Sequence, residues 1–441
     1  MNCIAVTAAI LIILTSSFDI FLVINAGGNF RFCQIVASIL FVPAVLRFAS
    51  GARAPVLGIL PLSIWLTFQI AFIPASDFWP KSVGYCLWLL LNIAMVFSFV
   101  QLFTDNVRTL TTVLRWYACS FGAIAILGFV QFTLPLLGYS GVLVTEWWIP
   151  DRLARVNGFT YEPSYFATYL VIGFVFVGSL RRAQSRLLPS RVLGVIYWLT
   201  AAGVVISSSR IGIAFVLLDM SLGYVGAWIS LLRDFARMRI ARKTLRALVP
   251  SLAWMALIAT LGIGAINLLE RSPATALMFL AGTGIADTTA HSVTQREGSL
   301  QDTVTVFLKN PLIGKSLGGV SSAIAELHGE SIGSFEASKS FEGMNVFAEA
   351  LAASGIIGII PFIIFLVVTI RKPLRLARRT APFYSVLLRA LMRSLVFGWA
   401  ILQFNQNLLR PYLWVHIAIL ATVYAAALQS ARAPEKAELR I

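Results

Sequence analysis

Apolar segments of about 20 residues recur along the whole chain, and this recurrence limits what the chain can fold into more than any other feature. A segment of this length is long enough to cross the roughly 30 Å hydrocarbon core of a bilayer as an α-helix. Hydrophobic residues make up 58% of the 441 residues and charged residues only 12%, unlike a soluble globular protein. The sequence therefore predicts an all-α integral membrane protein.

About twelve such segments are present, and they predict one polytopic membrane domain over residues 1–441. The seventh and eighth are separated only by Ser207-Ser208-Ser209-Arg210, so a merged pair and a total of eleven helices are also compatible with the sequence. The predicted spans lie near residues 3–25, 33–50, 55–75, 82–103, 110–137, 163–180, 191–209, 210–232, 248–269, 344–370, 384–403 and 409–430.

The basic residues are distributed unequally between the two faces of this twelve-span arrangement. The net charge of +16 would suit a nucleic-acid-binding protein, but 21 of the 35 Lys and Arg residues fall in the chain ends and loops of one face. Because Lys and Arg accumulate in cytoplasmic loops, this face is predicted to be cytoplasmic, with both termini inside and no nucleic-acid partner. Its largest basic clusters lie at 181–191, 233–246 and 371–379.

A long polar segment, residues 270–343, lies on the opposite, outer face and is predicted to form one large loop. Loops of this length are usually functional or disordered. Apolar residues at helical spacing over 300–308 predict a short helix that ends before Asn310-Pro311. Residues 321–343, rich in Ser and Glu, are expected to form a mobile lid or a solvated connector.

Charged side chains at the outer ends of the spans are candidates for function, because charge is costly to keep at membrane level. Arg210 follows three serines, and a guanidinium beside several hydroxyls is well suited to bind a phosphate group. A side chain that only extends to the membrane interface is the alternative. The other candidates are Arg152, Arg155, Glu162, Arg296 and Arg410.

Glu162 lies immediately before Pro163, which is well placed to begin the sixth span. A carboxylate at this position can simply favour the helix dipole. Alternatively, partial burial tunes it to accept a proton or a hydrogen bond from a substrate hydroxyl. Spacing alone leaves both roles open.

Neither a metal site nor a cofactor site is predicted. The three histidines lack the spacing of metal ligands, and the four cysteines lie in or beside apolar spans without paired spacing, which disfavours structural zinc and a disulfide framework. The serines at 207–209 have no His nearby in sequence. A metal hydrolase and a serine hydrolase are both disfavoured.

Four short stretches of sequence follow one another in a particular order and on the outer face. They are Arg155-Val-Asn-Gly-Phe-Thr-Tyr-Glu-Pro-Ser-Tyr-Phe-Ala167, Ser209-Arg210-Ile-Gly212, Arg296 followed by Asn310-Pro311-Leu-Ile-Gly314, and Asn345 followed by Gly355-Ile-Ile-Gly358. Taken together, they resemble the O-antigen ligase and O-antigen polymerase family of bacterial surface-polysaccharide assembly. The resemblance is sharpest over residues 155–360.

The resemblance implies a metal-independent glycosyltransferase at the periplasmic face of the bacterial inner membrane. Such an enzyme transfers a glycan from a polyprenyl diphosphate to an acceptor sugar hydroxyl, and arginines stabilise the departing diphosphate. Arg210 and Arg296 are the expected catalytic arginines, with Glu162 as the third catalytic residue. The residues expected to bind the substrate are Arg155, Ser209, Asn345 and Arg410.

Met344 departs from the family pattern, because ligase-type members carry a His before the Asn at the start of the tenth span. Methionine cannot take a proton, so the general base is left open between Glu162, His328 and no dedicated base, with Glu162 preferred. The missing His favours polymerisation of O-antigen or exopolysaccharide repeat units over ligation of the glycan to lipid A–core.

A transporter, such as a flippase for lipid-linked oligosaccharides, is the main alternative, and a non-catalytic membrane scaffold is a third. Alternating-access transporters usually have repeated halves, whereas this sequence has no internal repeat. A long outer loop suits an enzyme that closes over two lipid-linked glycans. A polymerase of this kind would contact membrane lipid and the polyprenyl-diphosphate-linked glycan, and would work with a flippase and a chain-length regulator.

Overall fold

The computed structural model describes residues 2–25, 29–149, 151–236, 294–335, 337–404 and 408–438. The chain divides into two compact units, one comprising Met1–Gly212 and Gly298–Ile441 and the other Ile213–Glu297. The first unit contains the features discussed below. The predicted span 248–269 lies outside the described residues.

Helices make up almost all of the regular structure in the described residues. In chain order they are α1 (Asn2–Thr15), α2 (Phe32–Ala49), α3 (Ile59–Ala71), α4 (Trp79–Phe103), α5 (Val107–Leu136), α6 (Pro163–Arg182), α7 (Ser190–Ile206), α8 (Arg210–Ala236), α9 (Thr294–Lys309), α10 (Gly319–Leu327), α11 (Val346–Ala377), α12 (Pro382–Ile401) and α13 (Pro411–Glu438). Two antiparallel hairpins accompany them: β1 (Val23–Asn25) with β2 (Asn29–Arg31), and β3 (Glu146–Ile149) with β4 (Leu153–Arg155).

Seven helical segments of the described chain are long and apolar enough to cross a membrane. They are Phe32–Ala49, Trp79–Phe103, Val107–Leu136, Pro163–Arg182, Val346–Ala377, Pro382–Phe404 and Pro411–Ala431. The apolar helices α1, α3 and α7 are shorter. The protein is therefore a mostly helical, multi-pass membrane protein, while the number of spans, expected to be twelve, stays a prediction.

The first helix is shorter than the span predicted over 3–25. It ends at Thr15, where the Ser16 hydroxyl donates to the Ile13 carbonyl oxygen at 2.9 Å. The apolar residues that follow the helix fold back instead of continuing it, and Phe18 packs edge-on against Phe159 with ring centroids 4.6 Å apart. Beyond Thr15 the predicted helix was wrong: Phe18 is buried by tertiary packing, whereas Phe21, Leu22 and Ile24 stay exposed outside a helix.

The predicted seventh and eighth segments form two separate helices in the structure. Helix α7 ends at Ile206 and α8 begins at Arg210. Ser208, between them, has a positive φ of 55°, a conformation that ends an α-helix. Ser209 accepts a hydrogen bond from the Gly212 N–H at 3.3 Å. The serine run is therefore a turn between two helices.

Helix α6 lies at the centre of the bundle. Nearly all of its side chains are buried, and it packs against α5, α7 and α12. Helix α13 is similarly enclosed and packs against α4 and α12. Helix α11 is different, because isoleucines along it are about half exposed. An apolar helix face exposed in this way suits contact with lipid.

Charged residues form a layer at each end of the bundle. Arg410 lies just before α13, whereas Gln429 lies near the other end of that helix and donates to Asp105 at 2.9 Å. Asp105 also forms an ion pair with Arg47 at the end of α2. At about 1.5 Å per residue, the two layers are about 28 Å apart along α13, which is close to the thickness of a bilayer core.

Helix α11 contains a break at Gly355, which has φ 60° and ψ −174°. The peptide groups around the break are hydrogen-bonded to residues 311–316, a segment that we call the clasp. Ile356 and Ile357 donate to the carbonyl oxygens of Pro311 and Leu312 at 2.8 and 3.1 Å. In the other direction, the N–H groups of 315 and 316 donate to the carbonyl oxygens of 352 and 353 at 3.1 and 2.8 Å.

Polar side chains of α3 hold the clasp from the opposite side. Gln69, which is fully buried, accepts a hydrogen bond from the Leu317 N–H at 2.8 Å and donates to the Ser354 hydroxyl at 2.8 Å. Trp65 donates to the same hydroxyl at 2.9 Å. The Ser316 hydroxyl donates to the carbonyl oxygen of Gln69 at 2.9 Å. The polar atoms exposed by the helix break thus have partners within the protein.

The described part of the predicted 270–343 loop is largely helical. The helix predicted before Asn310-Pro311 is confirmed, since α9 ends at Lys309. The expectation of a mobile or solvated segment was wrong for α10, whose first seven residues are buried. Gly318 explains this difference, because it lies so close to α4 that an added Cβ would be 2.8 Å from the Lys81 carbonyl oxygen.

We predict that Gly355→Ala lowers the free energy of unfolding by about 3 kcal/mol. Part of the loss is the cost of a positive φ for a residue with a Cβ, and part is overpacking, since the new Cβ would lie 2.4 Å from the Leu312 carbonyl oxygen. Gly51→Ala is the matched control: Gly51 also has a positive φ, 91°, but its Cβ would meet nothing within 4 Å. Tryptophan fluorescence during thermal unfolding in detergent measures the stability of both variants. Equal losses would contradict a tightly packed clasp.

Candidate functional site

A polar cavity of about 200 Å³ lies at one end of the bundle. It is formed by the N-terminal ends of α2, α4, α6, α11 and α13, together with residues of the turn after α1 and of the segment before α11. The lining residues are Asp19, Arg31, Tyr85, Trp88, Tyr161, Glu162, Tyr165, Leu317, Lys339, Glu342, Met344, Val346, Glu349, Ala350, Leu408, Leu409 and Arg410.

The convergence of five helix N-termini gives this end of the bundle a particular electrostatic character. Each N-terminus carries unpaired N–H groups and a partial positive charge, so it favours a nearby anion. The side chains of the cavity are mixed: three bases, four acids and four aromatic rings line it with apolar residues. Such a surface suits a ligand that has both an anionic part and a polar, ring-containing part.

Asp19 connects two arginines in the cavity wall. Its carboxylate accepts a hydrogen bond from Arg31 Nε at 2.7 Å and forms a second ion pair with Arg410. The Asp19 side chain is only 2% exposed, and those of Arg31 and Arg410 are 10% and 13% exposed. This cluster links the turn after α1, the start of α2 and the start of α13.

The charges of this cluster stabilise one another. Burial raises the pKa of the Asp19 carboxyl, but Arg410 and Arg31 lower it by more, so the pKa lies below its ordinary value of 3.8. Burial acts to lower the pKa of Arg410, whereas Asp19 raises it by more, so that pKa lies above its ordinary value. Asp19 and Arg410 therefore stay charged at neutral pH.

Each of the three basic residues that line the cavity lies over an aromatic ring. The guanidinium carbon of Arg410 is 4.3 Å from the ring centroid of Tyr165, and that of Arg31 is 5.6 Å from the ring of Trp88. Lys339 Nζ lies 4.7 Å from the ring of Tyr161. These cation–π contacts orient the bases while they leave N–H groups able to donate.

Glu342 joins the segment before α11 to the start of α4. Its Oε1 atom accepts hydrogen bonds from Lys81 Nζ at 3.0 Å and from the Tyr85 hydroxyl at 2.7 Å. Lys81, only 2% exposed, also donates to the Ser338 carbonyl oxygen at 3.3 Å. A buried ammonium needs such partners, so the contacts with Lys81 and Tyr85 hold the Glu342 side chain firmly at the cavity.

Two of the residues predicted from the sequence, Glu162 and Arg410, meet in this cavity. Glu162 is the N-cap residue of α6, and its Oε2 atom accepts a hydrogen bond from the Ser164 hydroxyl at 2.9 Å. Arg410 belongs to the Asp19 cluster. The structure thus places a residue expected to be catalytic and a residue expected to bind the substrate around the same space.

Other predicted residues lie elsewhere and have local roles. Arg155, on β4, forms an ion pair with Glu146 of β3. Ser209 accepts a hydrogen bond from Gly212 at the start of α8. Asn345 caps α11, because its side-chain oxygen accepts from the backbone N–H groups of 347 and 348 at 3.0 and 2.9 Å. None of these three residues is part of the cavity lining within the described chain.

Of the two arginines expected to be catalytic, Arg210 has a described side chain and Arg296 does not. Arg210 is the first residue of α8 and is partly buried, outside the cavity lining of the described residues. Arg296 belongs to α9, but its side chain falls outside the described part of the structure. The predicted placement of Arg296 opposite Arg210 therefore stays a prediction.

His328, another candidate base, contacts Asp302 at 2.9 Å and is half exposed.

Several cavity residues were missed by the sequence reasoning. The sequence alone did not single out Asp19, Arg31 or Lys81 as candidates. The signal that singled out Arg210, a charge held at membrane level, applies equally to Asp19 and Lys81. Glu342 and Glu349 gave no comparable signal, since their positions depend on how the segment before α11 folds back onto α4.

No arrangement of three or more His, Cys, Asp or Glu side chains able to hold a metal ion occurs among the described residues.

The fold and the cavity define a multi-pass helical membrane protein with a charged, aromatic-rich cavity at one end of its bundle. Comparison with models of known protein families gives no match, and comparison with curated proteins gives none either.

We predict that Asp19→Asn destabilises the protein by about 3 kcal/mol at pH 7, since it leaves two buried guanidiniums without a charged partner. Because the pKa of Asp19 is lowered on folding, its stabilisation is complete above its unfolded pKa, about 3.9, and is lost as the pH falls through the folded pKa. The difference between wild type and variant should therefore shrink below about pH 4.

Thermal unfolding in detergent at pH 7 and at lower pH measures this effect. Asp105→Asn is the control, because Asp105 pairs with Arg47 near the surface, where its side chain is 47% exposed. Surface ion pairs contribute about 1 kcal/mol or less. If Asp105→Asn destabilises the protein as much as Asp19→Asn does, the buried cluster has no special importance for stability.

Proposed function

We propose that the protein is a metal-independent glycosyltransferase that polymerises oligosaccharide repeat units carried on polyprenyl diphosphate, in O-antigen or exopolysaccharide synthesis. The observation that carries this proposal is the cavity, which combines two anchored guanidiniums, aromatic rings and carboxylates at one end of a membrane helix bundle. The resemblance of the four sequence stretches to the polymerase and ligase family points to the same chemistry.

Arg31 and Arg410 are the groups best placed to bind the diphosphate. Asp19 neutralises one of their two charges and receives N–H groups from both, and each guanidinium has five N–H donors. Guanidinium groups suit phosphate oxygens because they can donate in a fixed, forked geometry. The helix N-termini around the cavity add to the attraction. Family resemblance gives this role to Arg210 and Arg296, so the two assignments compete.

The other walls of the cavity suit sugars. Tyr85 and Trp88 stack on each other with ring centroids 5.3 Å apart, and aromatic faces offer apolar surface to one side of a sugar ring. The carboxylates of Glu162 and Glu342 are acceptors for sugar hydroxyls. Aromatic walls with few, well-oriented polar groups are typical of ligand sites.

In the proposed reaction, the hydroxyl oxygen of an acceptor sugar attacks the anomeric carbon of a second, lipid-linked glycan. The bond from that carbon to the diphosphate oxygen breaks, and its electron pair leaves with the polyprenyl diphosphate. Arg31 and Arg410 contribute by stabilising charge that grows on the leaving diphosphate, a use of fixed positive groups that lowers the barrier.

Arg410→Lys and Arg31→Lys are expected to slow chain elongation by about 10- to 100-fold, because lysine keeps the charge but lacks the forked donors. Purified protein in liposomes receives polyprenyl-diphosphate-linked repeat units from the native bacterium, and glycan length on the lipid is the readout. Arg47→Lys, in the charge layer at the other end of the bundle, is the matched control and should elongate at a rate within about twofold of wild type.

Three results would contradict parts of this proposal. Glycan movement across the bilayer without elongation indicates a flippase. Transfer of glycan to lipid A–core indicates a ligase. Elongation that survives in both lysine variants but is lost in Arg210→Ala and Arg296→Ala moves the diphosphate site away from the cavity and to those residues.

We also propose that the cavity faces the periplasm and that both termini face the cytoplasm. This orientation rests on the excess of Lys and Arg in the loops at the end of the bundle that contains Arg47. In a cysteine-free background, we expect Glu330→Cys to react with a membrane-impermeant maleimide in spheroplasts, and Ala52→Cys to react only after permeabilisation. Both positions are exposed. The opposite labelling pattern would reverse the orientation.

A further inference from the structure

Four carboxylates line the cavity, and three of them are engaged by other side chains. Asp19 is paired with two arginines, and Glu342 accepts from Lys81 and Tyr85. Glu162 accepts from the Ser164 hydroxyl two residues along the chain. A carboxylate that receives charged or multiple hydrogen bonds is a weakened proton acceptor, because those bonds favour its ionised form.

Glu349, the fourth carboxylate, has a different environment. It is half-buried in the first turn of α11 and faces the cavity. Within the described ranges, its side chain makes no hydrogen bond or ion pair. Its backbone is nevertheless fixed, since the Glu349 N–H donates to the Asn345 carbonyl oxygen at 2.9 Å and Asn345 caps the helix. The carboxylate is thus held in place with free acceptor capacity.

The neighbouring side chains leave few other groups able to take a proton. Met344, which lines the same cavity one turn earlier in the chain, has none. His328 contacts Asp302 instead of the cavity. A positioned base for hydroxyl attack is most often an imidazole or a carboxylate within reach of the substrate, and among the described residues Glu349 best combines cavity exposure with an uncommitted acceptor.

We propose that Glu349 is the proton acceptor for the attacking sugar hydroxyl, an assignment that rests on the proposed glycosyl transfer. As the acceptor oxygen bonds to the anomeric carbon, its proton moves to a Glu349 carboxylate oxygen, and the bond to the diphosphate breaks with its electron pair on the departing oxygen. Glu349 then releases the proton to water, which restores the carboxylate. Glu342, held by Lys81 and Tyr85, is a positioning residue beside it.

The first test is the variant Glu349→Gln, which keeps the size of the side chain and removes its basicity. In the liposome elongation assay, kcat should fall by about 100-fold or more, while KM for the lipid-linked repeat unit changes by no more than a few fold. Glu330→Gln is the control, because Glu330 is exposed and outside the cavity lining. It should retain the wild-type rate.

The second test separates base catalysis from a structural role. Because Glu349 must be ionised to accept a proton, the wild-type rate should fall on acidification, and this limb of the pH profile should be absent in Glu349→Gln. In Glu349→Ala, added formate should restore part of the rate by acting as a diffusible base. The titratable groups that share the cavity region with Glu349, and whose charge the profile also reflects, are Asp19, Arg31, Lys81, Tyr85, Tyr161, Glu162, Tyr165, Lys339, Glu342 and Arg410.

The outcomes distinguish this assignment from the proposed function itself. Wild-type protein that does not elongate glycans overturns the proposed function. Wild-type protein that elongates, with Glu349→Gln reduced by less than about fivefold, overturns only the role of Glu349. A large loss in Glu349→Gln with an unchanged pH profile and no rescue by formate also overturns it, since that pattern indicates a structural contribution.

Discussion

The need to satisfy backbone hydrogen bonds within a membrane helix governs much of this structure. Gly355 interrupts α11 near its start, and peptide groups exposed there cannot be left without partners in a lipid environment. The clasp supplies those partners through backbone hydrogen bonds, supported by Gln69 and Trp65 of α3. Because the clasp is continuous with α10, the break also fixes that helix against α4.

A second constraint is the burial of Asp19 between Arg31 and Arg410. The three residues come from distant parts of the chain, so their ion pairs join the first hairpin to the last helix. Charge placed in such surroundings is costly unless fully paired, and a carboxylate shared by two guanidiniums leaves one positive charge over. In the proposed function this local positive charge attracts the diphosphate, so the groups that hold the wall together are the same ones proposed to bind the substrate.

The sequence was sufficient for the membrane class and for several local features, including the helix before Asn310-Pro311 and the separation of α7 from α8. These depend on composition and short-range pattern. It also drew attention to Glu162 and Arg410, which the structure brings into one cavity. Asp19, Arg31 and Lys81 were missed, because their importance arises from contacts over long sequence distances. The glycine stretches at 314 and 355–358 were noted only as motifs; their shared function, close backbone contact between the clasp and α11, becomes apparent only when they are seen together.

The clasp also limits how a substrate can reach the cavity. If the whole stretch from the clasp to the start of α11 swung outward as one hinged cover, the backbone hydrogen bonds between the clasp and the residues around Gly355 would break, each at a cost of about 1 kcal/mol or more. The cavity entrance is therefore more easily widened between helices than by lifting this segment. A lipid-linked glycan would then approach from the side, with its hydrocarbon chain remaining in the bilayer while only the head group passes between the helix ends.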